Sequence, residues 1–214
     1  MNTNIVSADR LSPAQVLEDV VIVMLLDGSS SMADVEVATR DAANDFIAEL
    51  QAGTPVTFST AKFATDVQWL ITETPVNAIV PLTERQYWTD GNTALYDAVG
   101  EAIEHIEAMM IPPVYPVIAV FTDGDDTMSH KYDAATLAPM IAERRTRGWR
   151  FIAFVSGGAA RTATQRAGFL AVDTAEYASN GAATKAAFRK LAASAKRLIS
   201  AVEQKALPPA NFLD

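Results

Sequence analysis

The apolar residues of the sequence follow two kinds of pattern. Residues 20–26, 117–121 and 151–155 are short continuous apolar runs, which are typical of strands buried on both faces of a parallel sheet. Elsewhere, apolar residues recur at the three- and four-residue steps of amphipathic helices. Helices are predicted in four segments, at residues 35–50, 95–109, 134–147 and 188–202. Strands and helices are therefore expected to alternate along the chain.

Two further segments break this alternation. Residues 56–63 and 66–71 are separated by too few residues for a crossover helix, so we expect an antiparallel hairpin at one edge of the sheet. A last short strand is expected at residues 169–172. Together, these elements predict an α/β fold with a doubly wound, Rossmann-like, mostly parallel sheet, one antiparallel edge strand and helices on both faces.

The length and composition favour a single domain. The chain has 214 residues, and half of them are apolar, which is sufficient for a buried core. We expect an N-terminal arm at residues 1–17, one domain at residues 18–204 and a C-terminal tail at residues 205–214. Because the sequence contains no cysteine, disulfides and thiolate metal sites are excluded.

The sequence shows no targeting or membrane segment. The N-terminal residues do not combine a basic region with an apolar stretch, and the longest apolar run spans seven residues, at 20–26. A membrane-spanning helix needs about 20 apolar residues, and a signal peptide needs a basic region before its apolar core. We therefore expect a cytoplasmic protein without a membrane span.

The net charge of −9 conceals two halves of opposite sign. Residues 1–107 carry a net charge of −13, whereas residues 108–214 carry +4. An acidic half of this size disfavours nucleic acid as a partner. The basic residues of the second half lie in predicted helices, where we expect them to form solvated helix faces.

Small oxygen-bearing side chains follow the predicted strands. The first strand is followed by DGSSS, with Asp27, Ser29 and Ser31 at alternate positions. Thr93 precedes the second helix, and Asp123 follows the strand at 117–121. In an open α/β sheet, ligands bind beyond the carboxyl ends of the strands, where the strand order reverses. Carboxylates and hydroxyls suit Mg²⁺, Mn²⁺ or Ca²⁺ rather than Zn²⁺, so the sequence predicts a divalent cation site.

The same residues carry a resemblance to a known family. Asp27-x-Ser29-x-Ser31, Thr93 within GNTALYDA and Asp123 within VFTDGDD resemble the five-part metal-ion-dependent adhesion site (MIDAS) of von Willebrand factor type A (VWA) domains. The resemblance extends over residues 18–204. The stretches GNTALYDAVGEAI and ERRTRGWRFIAFV are similar to small bacterial and bacteriophage members of that family.

The resemblance implies a ligand set. Ser29, Ser31 and Thr93 would coordinate Mg²⁺, or Ca²⁺ or Mn²⁺, through their hydroxyls, while Asp27 and Asp123 would act directly or through water. Neutral hydroxyls leave the cation incompletely neutralised, so an Asp or Glu side chain of a partner protein can complete the coordination. The implied function is a non-catalytic, cation-dependent protein-binding module, either an adhesion protein or an adaptor.

Two alternatives stay open. An aspartate after the first strand, with TDGDD further along, is also similar to phosphohydrolases of the haloacid dehalogenase type, in which Asp27 would be the nucleophile. Such enzymes open on two acids, whereas Ser29 occupies the second position here. The other alternative is an assembly protein in which the metal is only structural. The oligomeric state is left open.

Four further residues lie near the predicted site or on the second predicted helix. Three of them have two possible roles each. Asp125 and Asp126 either raise the negative potential around the cation site or cap the helix near Tyr132. Trp88 is expected to be at least half buried, with a place on the binding face as the alternative. His105, on a helix rich in glutamate, is expected to be solvated.

Overall fold

The computed structural model describes residues 20–53, 56–109, 115–206 and 211–213. Within these residues, six strands form one sheet in the order β3-β2-β1-β4-β5-β6. The strands are β1 (Val20–Asp27), β2 (Thr57–Phe63), β3 (Val67–Pro75), β4 (Tyr115–Thr122), β5 (Arg150–Val155) and β6 (Thr174–Glu176).

Helices cover both faces of this sheet. Those found in the described part of the chain are α1 (Glu36–Gln51), α2 (Leu95–Glu107), α3 (Ala134–Thr146), α4 (Gly158–Arg166) and α5 (Gly181–Glu203). Helices α1 and α5 pack on one face, and α2, α3 and α4 contribute to the apolar cluster on the other. No described helix combines the length and the apolar character needed to cross a lipid bilayer.

The predicted fold class is confirmed. Strand β1 pairs in parallel with β2 on one side and with β4 on the other, and β5 and β6 continue the parallel sheet. Strands β2 and β3 form the predicted antiparallel pair at the edge. After β1, the chain forms β2 and β3 on one side of it and then β4, β5 and β6 on the other. The strand order therefore reverses between β1 and β4, at whose carboxyl ends a ligand site is expected.

The prediction of a strand at residues 169–172 is wrong. Phe169 is buried against Phe151, but the chain then forms a short 3-10 helix at Ala171–Asp173, and the last strand, β6, begins only at Thr174. Leu170 is exposed, so the apolar run does not mark a buried strand. The apolar residues of this segment anchor a turn rather than extend the sheet.

Helix α4 was not predicted from the pattern of apolar residues. Its sequence, GAARTATQR, buries only two alanines and one threonine. These small side chains produce a weak apolar period, and the adjacent glycines Gly157 and Gly158 at its start are typical of a turn. The helix is nevertheless formed because its alanines allow close packing against the sheet.

The core on the α1 and α5 side includes residues from the end of the chain. Phe121 of β4 stacks on Phe154 at 4.7 Å and on Phe188 of α5 at 3.8 Å between ring centroids. Phe212 and Leu213 are buried in the same cluster. The residues 211–213, within the predicted tail, therefore belong to the packed body of the protein.

Truncating Phe212 to alanine should destabilise the fold. The side chain is 2% exposed, and removing a buried phenylalanine typically costs about 3 kcal/mol of unfolding free energy. Urea denaturation of Phe212→Ala measures this loss. Val172→Ala, at an exposed apolar position, is the control and should remain close to wild type. An unchanged denaturation midpoint for Phe212→Ala would show that the end of the chain does not contribute to the core.

Candidate metal centre

Three loops meet at the carboxyl edge of the sheet. Leu26 and Phe121 are directly paired, so the loops that follow β1 and β4 leave the sheet side by side. The loop before α2 is joined to the first of these by two backbone hydrogen bonds. Asp90 N donates to Gly28 O at 2.7 Å, and Ser30 N donates to Gly91 O at 3.1 Å. The topology thus brings the three polar segments predicted from the sequence into one place.

Side-chain hydrogen bonds link three of the predicted ligands. Ser31 Oγ donates to Asp123 Oδ1 at 2.6 Å, although the two residues are 92 positions apart in sequence. Ser29 Oγ and Ser31 Oγ are 3.1 Å apart. The alternate spacing of the two serines therefore places both hydroxyls on the side of the loop that faces Asp123.

Thr93 and Asp27 meet next to Gly124. A methyl group added at Gly124 would lie 3.2 Å from Thr93 Oγ1 and 3.9 Å from Asp27 Oδ2. Both oxygens therefore border the same small space, which the absence of a side chain at Gly124 leaves open. Together with the hydrogen bonds above, these contacts join the five predicted residues into one group at the carboxyl edge of the sheet.

Asp27 forms the floor of this centre. Its side chain is 0% exposed. Oδ1 accepts a hydrogen bond from Ser29 N at 2.8 Å, and Oδ2 accepts one from Thr122 Oγ1 at 2.5 Å. Burial raises the pKa of Asp27 to about 6, while the bonds from Ser29 and Thr122 oppose this rise and the negative charge of Asp123 adds to it. A buried carboxylate beside a second one is an environment that favours a bound cation.

Two residues that the sequence analysis did not single out form hydrogen bonds with the strand and the loop that carry the candidate ligands. Tyr87 is fully buried and donates its hydroxyl to Asp27 O at 2.6 Å. Glu36 accepts hydrogen bonds from Thr89 N at 2.9 Å and Thr89 Oγ1 at 2.7 Å. Tyr87 is 60 positions from its partner, so no local pattern indicates this contact.

One of the acids after β4, Asp126, acts as a helix cap, whereas Asp125 Oδ1 accepts a hydrogen bond within the loop, from Asp126 N at 2.9 Å. Asp126 Oδ1 accepts from Tyr96 N at 3.0 Å and from Ser129 Oγ at 2.5 Å, so it caps α2. The helix near Tyr132 is α3, and Asp133 caps it by accepting from Thr136 N at 2.7 Å. The capping interpretation of Asp126 is therefore correct in kind but concerns a different helix.

Asp97 ties the same loop to α2. Its carboxylate accepts hydrogen bonds from three consecutive backbone N–H groups, those of His130, Lys131 and Tyr132, at 2.8–2.9 Å. Asp97 is itself buried. Because α2 begins directly after the loop of Thr93, this contact fixes the Asp123 loop and the Thr93 loop relative to each other.

The prediction of a solvated His105 is wrong. Its ring stacks on Trp69 with 4.2 Å between centroids, and Nε2 lies 3.0 Å from Ser59 Oγ. These contacts make His105 a packing residue on the β2 and β3 side. Its partial burial lowers its pKa. Trp88 is 36% exposed, so more than half of its surface is buried, as expected.

The chemistry of the donors fits a divalent cation with a preference for oxygen. The set consists of three hydroxyls and two carboxylates. Across residues 20–53, 56–109, 115–206 and 211–213, no three His, Cys, Asp or Glu side chains are grouped so that they could hold a metal ion. A site here therefore depends on the hydroxyls, which are hard ligands of the kind that Mg²⁺, Ca²⁺ and Mn²⁺ accept.

The fold of the described residues is VWA-like. No protein-family model matches the sequence, and no curated protein sequence matches it. Solved structures do match: a von Willebrand factor type A protein from Catenulispora acidiphila has a TM-score of 0.62 at 14% identity, over 84% of this chain and 43% of that chain.

Two other solved structures share the fold. The PilB minor pilin from Streptococcus sanguinis has a TM-score of 0.62 at 14% identity, over 89% of this chain and 63% of that chain. Proximal thread matrix protein 1 from the mussel byssus, with a zinc-occupied MIDAS motif, has a TM-score of 0.62 at 14% identity, over 84% of this chain and 46% of that chain. The present chain spans less than two thirds of each of these three chains. At this identity, the likeness concerns the fold.

Filling the space beside Gly124 should weaken cation binding. The methyl group of Gly124→Ala would crowd Thr93 Oγ1 at 3.2 Å, and Gly124 does not have the positive φ that would exclude alanine. We expect about a tenfold loss of Mg²⁺ affinity, the lower end of the effect of disturbing groups next to a metal ligand. Isothermal titration calorimetry with MgCl₂ measures it.

Gly158→Ala is the matched control, since a methyl group there meets nothing within 4 Å. Its Mg²⁺ affinity should equal that of wild type. Equal affinities for all three proteins would place the cation elsewhere.

Proposed function

We propose that this protein is a divalent-cation-dependent protein-binding module. Ser29, Ser31 and Thr93 would bind Mg²⁺, or Ca²⁺ or Mn²⁺, through their hydroxyls, with Asp27 and Asp123 acting directly or through water. The observation that carries the proposal is the hydrogen bond of 2.6 Å between Ser31 and Asp123, which joins two loops distant in sequence around the buried Asp27.

The charge of this ligand set supports a role in binding. Three of the five donors are neutral hydroxyls, so a bound cation would keep part of its positive charge and attract an anionic ligand. Ser31 is exposed at the mouth of the site. An Asp or Glu side chain of a partner protein can reach this side and complete the coordination.

The structural neighbours support the same class of function. Their names describe a minor pilin, a byssal matrix protein and a VWA protein, which are consistent with adhesion or adaptor roles and a non-enzymatic function. Zinc occupies the MIDAS motif of the mussel protein, so Zn²⁺ belongs among the cations to be tested here. The cytoplasmic location and the bacterial or phage origin expected from the sequence stay predictions.

The phosphohydrolase alternative is disfavoured by the environment of Asp27. A nucleophilic carboxylate needs an oxygen that can reach the phosphorus atom. Here, the side chain is 0% exposed, and both oxygens accept hydrogen bonds, from Ser29 N and Thr122 Oγ1. Asp27 is therefore better placed to stabilise a cation than to attack a substrate.

Cation binding should stabilise a protein that already folds without it. A ligand that binds only the folded state stabilises it by about 2.7 kcal/mol at 100 times its dissociation constant. The apolar cores on both faces of the sheet do not involve the candidate centre, so the protein should remain folded in EDTA. Thermal melts in MgCl₂ and in EDTA, followed by circular dichroism, measure both effects. Complete unfolding in EDTA would make the metal structural and favour the assembly-protein alternative.

Loss of one hydroxyl ligand should affect partner binding more than folding. Thr93→Ala removes a donor without changing charge, and Thr162→Ala, whose hydroxyl contacts only Gly158 O on helix α4, is the control. A partner captured in MgCl₂ and eluted with EDTA is purified, and its affinity for each variant is measured by surface plasmon resonance. We expect binding by Thr93→Ala to fall about tenfold or more, with melting close to wild type. Undiminished binding by Thr93→Ala would move the interface to another surface.

A further inference from the structure

A buried lysine lies beneath two of the ligand loops. Lys62, near the end of β2, has a side chain that is 1% exposed. Its Nζ donates to Trp88 O at 3.3 Å and to Asp90 Oδ1 at 3.1 Å. The same ammonium lies 3.5 Å from the centre of the Trp88 ring. Each of these contacts is made with the loop that leads to Thr93.

The aliphatic stem of Lys62 packs against the other ligand loop, the one that follows β1, at Gly28. A methyl group at Gly28 would lie 2.7 Å from Lys62 Cγ, 2.8 Å from Cδ and 3.1 Å from Trp88 O. This close approach requires the glycine of DGSSS, whose φ does not lie in the left-handed region that would itself favour a glycine. Gly28 also accepts the backbone hydrogen bond from Asp90 N at 2.7 Å. Lys62 thus fills the junction between the two loops.

Packing alone does not explain a lysine at this position. Burying an ammonium costs free energy unless it is paired and hydrogen-bonded, and a methionine could fill the same space with an apolar chain of similar length. What the ammonium adds is a cation–π contact and two hydrogen bonds to Trp88 and Asp90. These interactions hold the loop of Thr93 at a fixed distance from the loop of Ser29 and Ser31.

We propose that Lys62 is a positioning residue of the candidate metal centre, which sets the separation between the Ser29–Ser31 loop and the Thr93 loop. This inference rests on the proposed function, since it concerns the same cation site. Lys62 does not coordinate the cation in this proposal; it acts through the backbone of Trp88 and the carboxylate of Asp90.

Electrostatics and positioning predict opposite results for the loss of the ammonium. A positive charge near a cation site repels the cation, and its removal would leave Asp90 as an unpaired negative charge, so Coulomb forces alone predict tighter cation binding. Loss of the loop's anchor predicts weaker binding. The sign of the change therefore separates the two effects.

The experiment titrates the full chain with MgCl₂ alone, by calorimetry, at a temperature far below unfolding. Lys62→Met keeps the apolar stem and removes the ammonium, and we expect its Mg²⁺ affinity to fall about tenfold or more. Lys62→Arg keeps the charge and the N–H donors, so its Mg²⁺ affinity should fall less than that of Lys62→Met. Where Lys62→Met does not fold, Lys62→Gln replaces it, with the same expected loss.

Thr60→Val is the matched control for stability. Thr60 is buried two residues earlier on the same face of β2, and its hydroxyl donates to Met24 O at 2.9 Å. Its loss should lower the melting temperature and leave the Mg²⁺ affinity unchanged. A fall in affinity for this variant as well would make the effect of Lys62 a general consequence of stability, and would overturn the inference.

The remaining outcomes separate the inference from the function. If wild type binds no Mg²⁺, or binds it no better than Ser31→Ala, the proposed function fails. If wild type binds Mg²⁺ but Lys62→Met binds it equally or more tightly, the function stands and the positioning role is overturned. Equal losses in Lys62→Met and Lys62→Arg would show that packing, and not the ammonium, holds the loop.

Discussion

The burial of the Asp27 carboxylate is the constraint on which this edge of the protein depends. An ionised carboxylate in the interior is costly unless donors surround it. Those donors come from separate parts of the chain: Ser29 N from the same loop and Thr122 Oγ1 from the end of β4. The bond from Thr122 requires β1 and β4 to be adjacent and in register, so the site depends on the sheet order that the apolar core produces.

Several basic residues of the second half are paired with acids within the molecule. Arg144 pairs with Glu107 at 2.8 Å, and Arg145 pairs with the buried Asp173 at 2.8 Å. Lys196 on α5 pairs with Glu49 on α1 at 2.8 Å. The expectation that these basic residues form purely solvated faces is therefore too simple, since several of them join helices or loops. Such pairs contribute little stability where they are exposed, but they orient the elements that carry them.

The sequence predicted the features that depend on local pattern. Strand β1 is a continuous apolar run because both its faces are covered. The oxygen-bearing residues that follow it are easily recognised because they end this apolar run. Helix α4 escaped prediction because its buried residues are alanines and a threonine. Tyr87 and Lys62 escaped because their contacts join residues 60 and 28 positions apart, respectively. A lysine within a strand ordinarily indicates an exposed position, and only the folded structure shows the glycine and the indole that bury it.

The exposure of the candidate ligands is graded from the sheet outward, and this gradient limits what the site can do. Asp27, Ser29 and Thr93 are buried, with 0, 2 and 5% of their surface exposed, whereas Ser31 is exposed and Asp123 is half-buried. Of the five candidate ligands, Ser31 and Asp123 are the two that reach solvent, so a group that approaches a cation held here would arrive from their side. The opposite side of the centre is occupied by Tyr87 and Thr122, which bond Asp27 from the protein interior. The partner carboxylate of the proposed function would therefore have to approach from the side of Ser31 and Asp123.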